Sequence, residues 1–324
     1  MAPPRLLATL LLVCLMLTGL PARAQDTVQL QLDRMAQRVK PATLGVAVLD
    51  LSDGRHWQVN ADRGYPMMSV FKAPLGALVL SKVERGELSL EQTVVLTRAD
   101  LRHGRSPIAD AFRGESASFS LRELLRLAVS ESDNTAADVL LRAVGGPGEL
   151  TGFLRAHGIA GIRSDRGEGE IYNDTLGLSA DGTTPAGETK ADAAKRIRRG
   201  VAAYMSDPRD TATPVAAVMF LQKLWTGQLL SKDGTKQLLA LMTHTSPVRI
   251  EAGLAEGATF AHKGGTSGTF DGMTPAYNDI GVVRFADGRV VIVAAFLTGS
   301  RWPEERRKGL FVELGRVLGS DLSR

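Results

Sequence analysis

The sequence predicts an α+β fold, an α/β sandwich in which a five-stranded antiparallel sheet with flanking helices joins an all-helical lobe. Three observations point there. Strand-like apolar runs gather near both ends of the chain, helical signals fill the middle, and three polar motifs fall where the two should meet.

The elements follow in chain order. Arg5, the apolar run of residues 6–20 and the small residues Ala22 and Ala24 read as a secretory signal peptide, residues 1–24, cut before Gln25. Residues 25–324 then form one domain of two lobes, an α/β lobe from roughly 25–68 and 250–324 and a helical lobe from roughly 69–249. Residues 28–40 predict a helix stopped before Pro41. Residues 44–50 and the stretch around 56–59 predict strands joined by an Asp53-Gly54 turn. Ser120 and Glu123 form a capping-box signature that opens a helix running to Val129. Further helices are expected over 135–144, 149–157, 214–224 and 232–242. Residues 174–206 read as a surface insertion, a Gly/Thr/Pro-rich loop followed by a helix over 191–205 with a solvated basic face. A glycine-rich strand near Lys263 and strands over 279–285 and 289–297 complete the sheet, and a charged helix over 304–318 covers it.

Composition excludes several kinds of chemistry. Cys14 lies in the expected signal peptide, so the remaining 300 residues carry no cysteine and hence no disulfide, thiolate nucleophile or cysteine metal site. A chain of that length buries a core without such staples. Its 37 basic and 35 acidic side chains leave a net charge of +2, which gives no electrostatic case for nucleic acid. His103, His157, His244 and His262 are scattered, and no glycine motif that cradles phosphate precedes a helix, so neither metal nor cofactor is expected. Nothing calls for a membrane partner after signal cleavage or for more than a monomer, and the expected location is the periplasm.

The chemistry sits in the three motifs. Ser69 and Lys72 are one helical turn apart, which puts an amine beside a hydroxyl. Ser132-Asp133-Asn134 follows between two helices: Asp133 or Asn134 caps the second, Ser132 offers a proton shuttle, and Asn134 holds a substrate amide together with Lys72. In Lys263-Gly264-Gly265-Thr266 the glycines let an extended substrate lie along a strand edge. There the Thr266 and Ser69 amides pair as an oxyanion hole, and Thr266 and Ser267 offer hydroxyls to a carboxylate. The set is equipment for acyl transfer through a serine ester, with Lys72 expected to have its pKa lowered by burial beside Lys263. A hydrolase also needs a base for water, and Glu168 and Glu170 are both candidates. Arg166 pairing with Asp210 would close the loop that carries them.

At these residues the chain resembles the class A serine β-lactamases over nearly its whole length. Tyr65-Pro66-Met67-Met68, Ser132 through Ala137, Gly145-Gly146-Pro147, Arg209 through Pro214 and Leu224-Trp225-Thr226-Gly227 look like that family's stretches. His262-Lys263 and Asn278-Asp279-Ile280-Gly281 look more like its PER-type branch. The resemblance implies a small-molecule β-lactam substrate. It implies Ser69 as nucleophile, Lys72 as base or relay, Ser132 as shuttle, Asn134, Lys263 and Thr266 as substrate binders, and Glu168 as the base for both half-reactions. Arg249 is the implied carboxylate-facing guanidinium. Three departures stand out: Gly264 where the family has Thr or Ser, Tyr172 where an asparagine helps hold the hydrolytic water, and the insertion that follows. A penicillin-binding or DD-peptidase-like relative that deacylates slowly is the alternative within this chemistry, and a non-catalytic envelope-binding protein is the alternative outside it.

Overall fold

A computed structural model of the chain describes residues 23–245 and 247–320. Most of the expected signal peptide, residues 1–22 with Cys14, lies outside the described residues. No helix of the described residues is long and apolar enough to cross a membrane.

The strands in chain order are β1 (Thr43–Asp50), β2 (His56–Val59), β3 (Tyr65–Pro66), β4 (Thr93–Thr97), β5 (Ser116–Ser120), β6 (Thr211–Ala212), β7 (Thr259–Thr266), β8 (Thr274–Arg284) and β9 (Val290–Ser300). Among the described residues β2-β1-β9-β8-β7 form a five-stranded antiparallel sheet, while β3 pairs with β6 and β4 with β5. The period-2 rule sorts its residues between two cores. Val46, Val48, Val293 and Leu297 face one apolar cluster with Phe311 and Leu314, whereas Ala47, Ala294 and Phe296 face the other. β8 and β9 are buried on both faces, which accounts for the nearly unbroken apolar sequence of β9.

Helices α1 (Arg23–Arg38) and α11 (Glu304–Ser320) flank the sheet. The middle of the chain holds α2 (Lys72–Glu84), α3 (Pro107–Ala111), α4 (Leu121–Val129), α5 (Asn134–Ala143), α6 (Pro147–Ala156), α7 (Glu168–Leu176), α8 (Lys190–Ser206), α9 (Pro214–Trp225) and α10 (Lys232–Thr243). The capping box at Ser120 and Glu123 is formed in both directions. α2 is buried from Lys72 to Ser81, so it runs as a central helix with no solvent stripe. α9 packs on β1 and β9, inside the core shared with the sheet.

Two expectations need correction. The α1 helix ends at Arg38, two residues short of the expected limit. More consequential is the inserted segment. α7 continues through Leu176 to a left-handed Gly177 cap, and α8 is not merely a surface helix, because Gly200, Val201 and Tyr204 are buried. A side chain at position 200 would put its Cβ 2.6 Å from the Thr175 carbonyl and 2.7 Å from the Gly177 amide nitrogen. Glycine there lets α8 press directly on the end of α7.

The shared core makes a stability prediction. Phe220 on α9 is fully buried in the cluster that includes Phe296. Phe220→Ala should lower the free energy of unfolding by about 3–5 kcal/mol in urea titrations; a loss under about 1 kcal/mol would show that α9 is not part of that core.

Candidate active site

Ser69 lies on a 3-10 turn, Met68–Phe71, that runs straight into α2. The turn is strapped to the sheet by Asn278, whose side-chain amide donates to the Pro66 and Met67 carbonyls at 2.8 and 3.1 Å. Gly265 is required at this contact. A Cβ there would stand 2.4 Å from the Met67 carbonyl oxygen and 3.2 Å from the Ser69 amide nitrogen. The third motif thus touches the first, and the close approach explains its glycine.

Lys72 is fully buried at the centre of the site. Its ammonium donates to Ser69 Oγ at 3.0 Å, the Ser132 carbonyl at 2.9 Å and Asn134 Oδ1 at 2.6 Å. Those contacts use all three N–H donors that an ammonium has. Glu168 Oε1 lies 2.9 Å from the same nitrogen, yet accepts no hydrogen bond from any described residue. The Lys72–Glu168 contact is therefore an ion pair outside hydrogen-bond geometry, with the carboxylate oxygen buried beside the ammonium.

The second motif presents its groups by separate means. Ser132 holds a left-handed φ of 60°, which turns its carbonyl to Lys72 while its hydroxyl accepts from Lys263 Nζ at 3.0 Å. Asp133, not Asn134, caps α5: it accepts from the Ala136 amide at 2.8 Å and also holds Ser106 and the Ile108 amide. That frees Asn134, whose amide group donates to the His103 carbonyl at 2.9 Å. Lys263 is buried, and burial first, then the neighbouring Lys72 and Arg249 charges, hold its ammonium well below the ordinary lysine range.

The two candidate bases separate cleanly. Glu168 opens α7 with its side chain buried beside Lys72. Glu170 is exposed, and its carboxylate turns back to accept from the Gly167 amide at 3.0 Å as the helix cap. Glu170 is thus a capping residue, not a base in the cavity. Asp138 holds Glu168 in place, accepting from the Glu168 amide at 2.6 Å and the Gly169 amide at 3.2 Å while pairing with Arg102. Arg166 Nε meets Asp210 Oδ2 at 2.6 Å across 44 residues, and Asp210 also accepts from the Asp165 and Arg166 amides. That pair closes the neck of the loop carrying both α7 and α8.

Arg249 and Ser267 are both anchored to the β7–β8 pair. Arg249 is buried and lies over the Tyr277 ring at 4.1 Å, donating to the Asn278 carbonyl and to Thr266 Oγ1. It occupies the space that a side chain at 264 would need, since a Cβ there would be 2.9 Å from Arg249 Nη1. Gly264 therefore makes room for the guanidinium, which borders the cavity and holds Thr266. The Ser267 hydroxyl accepts from the Ala276 amide at 3.0 Å and faces the Gly268 and Ala276 carbonyls. It stitches the end of β7 to β8, and Ser267 borders the catalytic cavity.

Ser69, Ser132, Asn134, Glu168, Arg249 and Thr266 share one cavity of about 500 Å³. Tyr172 stacks on His103 at its rim, with ring centroids 4.6 Å apart. Sequence reasoning missed Asp138, His103, Tyr204 and Phe270. Only Asp138 carried a signal, lying four residues after Asn134 on the same face of α5. No group of three or more His, Cys, Asp or Glu among the described residues is placed to hold a metal.

Comparison with known proteins agrees with this geometry. A sequence profile of the β-lactamase enzyme family matches residues 27–321. The extended-spectrum β-lactamase PER-1 of Pseudomonas aeruginosa is 31% identical, covering 86% of this chain and 82% of its own. β-Lactamase VEB-1 of the same organism is 27% identical over 95% of each. Among solved structures, a β-lactamase from Chitinophaga pinensis superposes with a TM-score of 0.77 at 28% identity, covering 92% of this chain and 100% of that one. The TLA-3 extended-spectrum β-lactamase gives 0.78 at 26%, covering 93% and 100%. With its serine and carboxylate lining one cavity and two buried lysines bonded to that lining, the chain belongs to the class A serine β-lactamase family.

Proposed function

We propose that this enzyme hydrolyses the β-lactam amide of penicillins and cephalosporins through an acyl-enzyme on Ser69. One observation carries the reading: a buried Lys72 ammonium lies 3.0 Å from the Ser69 hydroxyl and 2.9 Å from the Glu168 carboxylate. The Lys72 ammonium turns to give a proton to Glu168, and the neutral amine so formed takes the Ser69 proton as Oγ bonds to the lactam carbonyl carbon. The Ser69 and Thr266 amides stabilise the oxyanion. As the C–N bond breaks, the nitrogen takes the Ser132 proton, and Lys263, 3.0 Å away, resupplies it. Before the second half Glu168 releases its proton to solvent and Lys263 regains one; Glu168 then takes a proton from water, whose oxygen attacks the ester. Ser69 leaves with a proton returned through Lys72.

Lys263, with Thr266 backed by Arg249, supplies the positive end for the substrate carboxylate. Asn134 binds the side-chain amide. We place the catalysis in the periplasm, in a monomer whose cleft lies between an α/β lobe and a helical lobe. A slowly deacylating enzyme is the second reading, and Tyr172 supports it: its ring stacks on His103 where the family's asparagine would offer an amide to water.

A chromogenic cephalosporin assay with intact-mass detection tests the scheme. Ser69→Ala should show neither turnover nor adduct. Glu168→Gln should accumulate an acyl adduct while turnover falls about 10²–10⁴-fold, and Glu170→Gln should change turnover by less than about threefold. Turnover that survives Ser69→Ala removes the mechanism, and loss of deacylation in Glu170→Gln alone reverses the choice of base. A long-lived adduct in the wild type selects the second reading.

The depressed Lys263 pKa has a kinetic consequence. Its ammonium is charged below that pKa and lost as pH rises through it, so kcat/KM should fall on an alkaline limb below the ordinary lysine range. Arginine stays protonated throughout. Lys263→Arg should therefore shift that limb upward in a pH–rate profile; an unmoved limb would assign it to another group.

A further inference from the structure

The inserted segment takes no part in the steps above, yet Thr175, Leu176 and Tyr204 from it line the catalytic cavity. Tyr204, on the last turn of α8, is buried, and its hydroxyl donates to Met68 Sδ at 3.1 Å, immediately before the nucleophile. Burial raises its phenol pKa, so the ring remains a neutral wall. Gly200 is what permits this reach, because any side chain there would strike the backbone at the end of α7.

A second aromatic ring comes from the other side of the site. Phe270 follows β7 in the loop to β8, packs over Gly268 and lines the same cavity as Tyr204, Ile171 and Leu176. It also closes a recess of about 430 Å³ formed by Ile197, Val201 and Met205 of α8. Arg198 of α8 meets Asp271, the neighbour of Phe270, at 2.9 Å. The inserted helix therefore carries one wall and supports the other. A substrate lying along β7 runs from Lys263 past Thr266 toward the loop that bears Phe270, so the polar end of the cavity takes the carboxylate and this apolar end remains for the rest.

We propose that Tyr204 and Phe270, brought together by α8, form an apolar compartment for the acylamino side chain of the β-lactam. The insertion is then a specificity element that selects aromatic and branched apolar acyl groups. The inference rests on the reading of Ser69 as the acylated nucleophile. Apolar contacts of this kind change kcat/KM by about 10- to 200-fold in enzyme pockets.

The test compares kcat/KM for benzylpenicillin, which carries a phenylacetyl group, with that for 6-aminopenicillanic acid, which carries none. In the full-length enzyme the first should exceed the second, and Tyr204→Leu should lower their ratio by about tenfold or more. Phe270→Ala, on a half-buried loop residue, should do the same without depending on the α8 core. Loss of fold lowers both substrates together and leaves the ratio alone, so the ratio reports the compartment. An unchanged ratio in folded Phe270→Ala overturns the proposal while leaving Ser69 chemistry intact. A wild type that neither hydrolyses nor is acylated by either compound overturns both.

Discussion

The whole arrangement depends on one buried charge. Lys72 is fully enclosed, so its ammonium must be satisfied by the protein, and breaking a buried ionic contact of this kind costs about 3–5 kcal/mol. Its partners come from three separate stretches of chain: the nucleophile turn, the Ser132–Asn134 motif that opens α5, and the start of α7. The constraint therefore draws helices and loops together around Ser69. Lys263 is a second buried cation nearby, linked to Lys72 through Ser132, whose carbonyl faces one lysine and whose hydroxyl faces the other.

The loop that supplies Glu168 shows how the chain accepts an insertion without losing that charge. Arg166 and Asp210 close the neck of the loop, and Asp138 fixes the Glu168 and Gly169 amides from α5. Glu168 is thus located by contacts that do not involve α8. Lengthening a loop whose ends are already tied costs little entropy, because closure grows only with the logarithm of length. The added helix is free to take a separate role at the cavity wall.

Much of the fold was legible from local pattern. Apolar runs near the two ends of the chain exposed β1 and β9, and the Ser120–Glu123 pair marked the start of α4. The serine and lysine motifs were readable because their spacing alone places the groups. The parts that were not legible depend on side-chain direction. Glu168 and Glu170 look equivalent in sequence, but one opens the helix facing Lys72 and the other caps it from outside. Ser267 is taken up by the β7–β8 backbone, and Gly264 has meaning only once Arg249 is seen in the space beside it. The inward face of α8 was hidden for a related reason: Gly200, Val201 and Tyr204 form a short stripe within a strongly basic helix.

The central claim is that Lys72 links the nucleophile to the base. Stopped-flow acylation of Lys72→Met by a chromogenic cephalosporin measures it most directly, with circular dichroism confirming the fold. The account predicts an acylation rate constant lower by about a hundredfold or more. A folded variant that acylates at the wild-type rate would contradict it.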